Sequence, residues 1–128
     1  MTLRQEILDQ VANGYGIAPD YPFDGLEDAC VLRRLDNRKW FALIMRISAS
    51  KLGQKEDRML DILNVKCDPN LIGSLRMSPG FFPAYHMNKE SWITIALDGT
   101  VALEQIMPLI AMSHDLVANK KKKKAGNA

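Results

Sequence analysis

Trp40-Phe41-Ala42-Leu43-Ile44-Met45-Arg46-Ile47 is the most strand-like run in the chain. Its odd positions, Phe41, Leu43, Met45 and Ile47, are all apolar, while its even positions end in the charge of Arg46. Side chains alternate between the two faces of a strand, so the odd positions are expected to meet the core. Upstream, Val31 to Leu35 is a shorter strand closed by the polar turn Asp36-Asn37-Arg38-Lys39. Downstream, the polar stretch Ser48 to Asp57 leads to a third strand over about 58–66, where Leu63 and Val65 alternate with Asn64 and Lys66. The three runs predict an antiparallel meander.

Helix signals flank it. Thr2-Leu3-Arg4-Gln5 has the form of a capping box, and Leu3, Ile7, Leu8 and Val11 follow at helical spacing, so a first helix is expected over about 2–13 with Asn13-Gly14 as its stop. Residues 14–29, with Gly14, Gly16, Pro19, Pro22 and Gly25, read as a loop. Asp68-Pro69 starts a second helix: Asp accepts free amides, and Pro lacks the N–H that has no partner there. Ser78-Pro79-Gly80 ends it. Phe81 to Tyr85, interrupted by Pro83, predicts a short edge strand, and Trp92 to Leu97 a clearer one. After Asp98-Gly99, Thr100 is expected to cap a final helix to about 119, with Leu103, Ile106, Met107, Ile110 and Val117 as its stripe. The order α-β(3)-α-β(2)-α is a single-domain α+β fold, with helices packed on one side of an antiparallel sheet.

The chain has 128 residues, 47% hydrophobic and 25% charged, the balance of one soluble domain. It holds no run of roughly 18 apolar residues, and its opening residues lack the order of a signal peptide. A cytoplasmic protein with no membrane partner is therefore expected. Without a secretory signal, Cys30 and Cys67 are expected to be reduced and packed.

The formal charge of +2 hides an uneven distribution. Residues 1–32 carry one cation and six anions. Residues 33–58 carry eight cations, Arg33, Arg34, Arg38, Lys39, Arg46, Lys51, Lys55 and Arg58, against three anions. Residues 59–119 carry three cations and six anions, and Lys120 to Lys124 form a run of five at the end. Basic side chains on a protruding hairpin can reach phosphates, and the released counterions supply affinity. The same pattern also describes a solvated hairpin protected from edge-to-edge aggregation, and Arg33 and Arg34 must point to opposite faces. The expected tail, 120–128, reads either as an arm that attracts polyanions or as a solubilising, disordered terminus. No zinc-finger spacing or helix-turn-helix pattern supports base reading.

Nothing in the pattern predicts an enzyme, a cofactor or a metal site. His86 and His114, the two histidines, have no ligand-type partner at helical spacing, and the cysteines form no paired motif. Tyr85, His86, Asn88, Lys89 and Trp92 form a polar cluster beside an aromatic. It serves either as a groove for a ligand or peptide or as a turn whose side chains bond the backbone.

Several segments together resemble the MmcQ/YjbR family: Leu63-Asn64-Val65-Lys66-Cys67-Asp68-Pro69, Pro83-Ala84-Tyr85-His86-Met87-Asn88-Lys89, Trp92, and Ser113-His114-Asp115-Leu116-Val117. The resemblance spans roughly residues 2–119, with Ala84 where members usually have Gly and His114 where they usually have Tyr. It implies a bacterial protein with a curved sheet of secretion-chaperone-like or frataxin-like architecture. It also implies DNA binding through a double-wing arrangement of β elements, with a protein- or peptide-binding module as the alternative.

Overall fold

Thr2 opens the first helix, α1 (Leu3–Tyr15): its Oγ1 accepts from the Gln5 N–H at 3.1 Å. The Gln5 side chain does not complete the capping box; it donates to Asp9 instead. The helix also runs past the expected stop at Asn13-Gly14 and ends at Gly16, whose left-handed φ of 69° a residue without Cβ adopts freely. The two extra residues put the Tyr15 ring against Phe41 and His114, and this packing outweighs the cost of Gly14 inside a helix.

The computed structural model describes residues 1–119, and the tail expected over 120–128 lies outside the described residues. After α1 come β1 (Cys30–Arg33), β2 (Trp40–Ser48), a 3-10 turn (Ala49–Leu52), β3 (Met59–Lys66), α2 (Pro69–Leu75), β4 (Phe81–Pro83), β5 (Trp92–Ala96) and α3 (Leu103–Leu116). The strands form one sheet in the order β1-β2-β3-β5-β4, with every neighbouring pair antiparallel. This is the expected α+β fold, with the meander β1-β2-β3 intact and β4 at an edge. Asp68 caps α2 through a 2.9 Å bond from Asn70 N–H, with Pro69 in its first turn.

Two local expectations change. The final helix starts after Ala102, not Thr100. Gln105 accepts from the Ala102 N–H, while Thr100 N–H donates to Asp98 in the preceding turn. The face assignment of β2 changes more deeply. Ala42 and Ile44, at even positions, pack with Leu32, Leu63, Val65, Ile93 and Ile95 and with the helix residues Ile7, Val11, Ile106 and Ile110. Leu43, Met45 and Ile47 lie on the opposite face. There Ile47 joins a second apolar cluster with Ala49, Leu60, Ile62 and Ala96. Both faces of the sheet are thus partly apolar. Each fully buried Ile or Leu contributes about 1.5–3 kcal/mol relative to exposure.

A bulge causes the change. Arg33 pairs with Trp40 and Leu32 with Ala42, which leaves Phe41 as an extra residue between them. It lies with Ala42 on the helix side, fully buried. The charge of Arg46 is tolerated on the helix side because Asp61 sits across from it. Asp61 also accepts from Arg4 of α1 at 3.0 Å.

A bulge leaves backbone groups without ladder partners. Ser113 of α3, fully buried, donates its hydroxyl to the Phe41 carbonyl at 2.6 Å and accepts from the Lys66 N–H at 2.8 Å. One hydroxyl therefore ties α3 to both β2 and β3. Ser113→Ala should lower the unfolding free energy by about 2 kcal/mol, because it orphans buried backbone groups. Urea unfolding checks this, and Ser50→Ala on the exposed 3-10 turn should leave the midpoint nearly unchanged.

Candidate functional site

The eight cations expected to form one contact region fall into three places. Arg33, at the end of β1, pairs with Asp20 at 2.9 Å and lies over the Trp40 ring, 5.7 Å from its centroid. Arg34, on the helix side, makes two bonds to Asp36, at 2.9 and 2.8 Å, and the pairing holds the Asp36 carboxyl down to about 2. Arg38 and Lys39 stand exposed in the β1–β2 turn, with no ion pair to a described residue. Arg46 faces Asp61 and α1. At the far end of β2, roughly 25 Å along the strand, Arg58 pairs with Glu56 at 2.6 Å and Asp98 at 3.0 Å. Lys51 and Lys55 stand exposed on the chain before it, also with no ion pair to a described residue.

The turn end is built onto the end of α3. Arg34 donates to the His114 carbonyl at 2.9 Å, and Asn37 donates to the Val117 carbonyl at 2.9 Å. These donors satisfy carbonyls that a helix C-terminus leaves free and oppose its partial negative charge. Asn37 also reaches the Asn119 side chain at 3.5 Å. Arg38 has a left-handed φ of 65°, which turns the chain back toward β2. The turn carrying Arg38 and Lys39 therefore adjoins Asn119, the residue that precedes the lysine run.

His114 packs between Tyr15 and Phe41, with ring centroids 4.6 and 4.9 Å away. Its Nδ1 lies 3.0 Å from Arg34 Nη1. Arginine only donates, so Nδ1 accepts and the imidazole is neutral. Burial, and then the Arg34 charge, push the His114 pKa below its usual range, while Asp115 and Asp36 oppose the shift. The neutral ring is the form the fold favours, so this stabilisation is complete above about pH 6.5 and is lost as pH falls below it. His114→Phe should flatten the stability profile between pH 7 and 5, as measured by urea midpoints across that range.

The second candidate cluster divides. Tyr85 and Lys89 line a depression of about 230 Å³ with Lys51, Leu52 and Phe82. His86 lines a different one of about 210 Å³, on the sheet face away from the helices, with Phe23, Leu26, Trp40, Leu43, Met45 and Met87. Asn88 accepts from Glu90 N–H, and its carbonyl accepts from Trp92 N–H; both are turn contacts. Lys89 donates to the Ala84 carbonyl at 3.0 Å. Trp92 is half-buried opposite Lys66 and lines neither depression.

What holds this turn is a pair outside the expected cluster. Asn64 and Thr94, both fully buried, are cross-strand partners. Thr94 Oγ1 donates to Asn64 Oδ1 and accepts from Tyr85 N–H, while Asn64 donates to the Tyr85 carbonyl at 3.2 Å. The Tyr85 backbone is gripped at both polar groups, and His86 follows with a left-handed φ of 61°. Thr94→Val keeps the shape and removes the acceptor of the Tyr85 N–H, so the Tyr85 amide should exchange about tenfold faster in a hydrogen-exchange experiment.

Cys30 and Cys67 are free and buried, and burial raises both thiols above their usual range. No described helix is long and apolar enough to cross a membrane.

The described residues thus form an α+β fold with three helices on a five-stranded open antiparallel sheet, and its clearest surface features are a basic turn at one end and an apolar depression on the outer face. The chain belongs to the YjbR family, whose profile matches residues 13–116. It is 40% identical over 116 residues to "Uncharacterized protein YyaQ" of Bacillus subtilis, a match covering 91% of this chain and 98% of that protein. A crystal structure of a Pseudomonas syringae protein is similar, with a TM-score of 0.87 and 43% identity over 90% of this chain and 98% of that one. The Deinococcus radiodurans protein DR2400 is also similar, with a TM-score of 0.70 and 26% identity over 97% of this chain and 81% of that one.

Proposed function

We propose that this YjbR-family protein binds nucleic acid weakly and without sequence preference, through the β1–β2 turn and the lysine run that follows Asn119. It is read as a cytoplasmic binding protein rather than an enzyme. The observation that carries the reading is the position of Arg38 and Lys39. They are exposed, lack an acidic partner among the described residues, and sit on the turn whose Asn37 touches Asn119, next to Lys120 in sequence. Two exposed cations without a described acidic partner thereby stand beside Asn119, and five lysines follow that residue in the sequence. Lys51, Lys55 and Arg58 do not share that end, and Arg58 is held by Glu56 and Asp98. Phosphate contact through lysine and arginine releases counterions and so depends steeply on salt.

Fluorescence anisotropy of a labelled duplex at low and moderate salt tests this. Arg38→Glu with Lys39→Glu should weaken binding about tenfold at low salt and reduce the salt slope by about two contacts. Lys51→Glu with Lys55→Glu should change affinity by no more than about twofold. Absence of binding at low salt, or equal losses from the two pairs, would overturn the reading.

A further inference from the structure

The apolar depression lies on the outer sheet face, and the charged residues that follow its Phe23–Leu26 wall in the chain are acidic. Trp40, Leu43 and Met45 of β2 form its floor, Phe23 and Leu26 one wall, and Met87 with His86 the other. Leu26 is 53% exposed, a large apolar side chain at the rim left uncovered by the described residues. At about 210 Å³ the space is below the roughly 300–1,000 Å³ of a cofactor or drug-sized ligand site, and it suits side chains.

Both walls are held in place. The Phe23 ring meets Trp40 edge-on at 5.7 Å, and the chain before it is fixed by the bridge between Asp20 and Val31. The opposite wall follows Tyr85, whose backbone Asn64 and Thr94 grip. Between these walls the unbranched side chains of Met45 and Met87 can adapt to different apolar shapes.

The charge selects the partner. Asp24 follows Phe23, and Glu27 and Asp28 follow Leu26; all three are exposed and make no ion pair with a described residue. Arg33 beside Trp40 is already paired with Asp20, and Arg46 after Met45 faces Asp61 on the helix side, which leaves Lys39 as the cation without a described partner that adjoins the floor in sequence. Exposed acids that flank the Phe23–Leu26 wall in sequence repel phosphate and favour cations. We infer that this groove docks a short segment of another protein carrying large apolar side chains flanked by lysine or arginine. The inference goes beyond the nucleic-acid reading and does not rest on it.

The test uses the full chain with Trp92→Phe, so that Trp40 is the single fluorescent reporter. The probes are the peptide Lys-Leu-Lys-Phe-Lys-Leu-Lys, a version with glutamate for every lysine, and a version with serine for every apolar residue. The basic apolar peptide should change Trp40 emission saturably. Leu26→Asp, an exposed loop change checked for folding by circular dichroism, should weaken it about tenfold. Asp24→Lys with Glu27→Lys should weaken it severalfold at low salt, and less at high salt. The two control peptides should bind at least about tenfold more weakly. No saturable change, equal binding of the serine peptide, or indifference to Leu26→Asp would overturn the inference. A labelled duplex, with no peptide present, whose binding is weakened as much by Leu26→Asp as by Arg38→Glu/Lys39→Glu would also overturn it, because the groove would then be a nucleic-acid surface.

Discussion

The bulge at Phe41 is the constraint on which the rest of this structure depends. One extra residue in β2 turns Phe41 to the same side as Ala42, where its ring meets Tyr15 and His114. Trp40 is left on the outer face beside Arg33. The backbone opened by the bulge is closed by the Ser113 hydroxyl, so the end of α3 must lie across β2 and β3. That placement brings the α3 carbonyls within reach of Arg34 and Asn37, and the β1–β2 turn becomes the cap of α3. A single irregularity in one strand thus links the main core, the basic end and the floor of the outer groove.

Much of the fold was legible because its signals are local. The helix cap of Asp68-Pro69, the polar turn at Asp36–Lys39 and the apolar stripe of α3 each act within a few residues, and each lies where those residues put it. The side of β2 that faces the helices was not legible. Strict alternation assigns Phe41, Leu43, Met45 and Ile47 to one face, but an unmarked bulge breaks the alternation and a cross-strand Asp61 makes Arg46 acceptable on the core side. Likewise, no local signal in Asn13-Gly14 shows that Tyr15 will find Phe41 and His114 and carry the helix on.

The candidate sites divide along the same line. Sequence counting finds the basic segment, but only tertiary pairing shows which of its charges are already used. Asp20, Asp36, Asp61 and Asp98 hold Arg33, Arg34, Arg46 and Arg58, and three of those pairs span 13, 15 and 40 residues of chain. The cluster at Tyr85–Trp92 mostly serves its own turn, and the grip on it comes from Asn64 and Thr94. Asn64 was visible only as a polar residue alternating with Leu63 and Val65, a pattern that reads as a solvent-facing position although the side chain is fully buried.

In the proposed function, the β1–β2 turn, fixed on the end of α3, is the surface that meets phosphate. The most direct measurement is an amide chemical-shift titration of the full chain with a short duplex at low salt. The account predicts shifts centred on Arg38, Lys39 and residues 117–119, fading as salt rises, with little change at Lys51 and Lys55. Shifts centred on Lys51 to Arg58 or on residues 20–28, or none at any salt concentration, would contradict it.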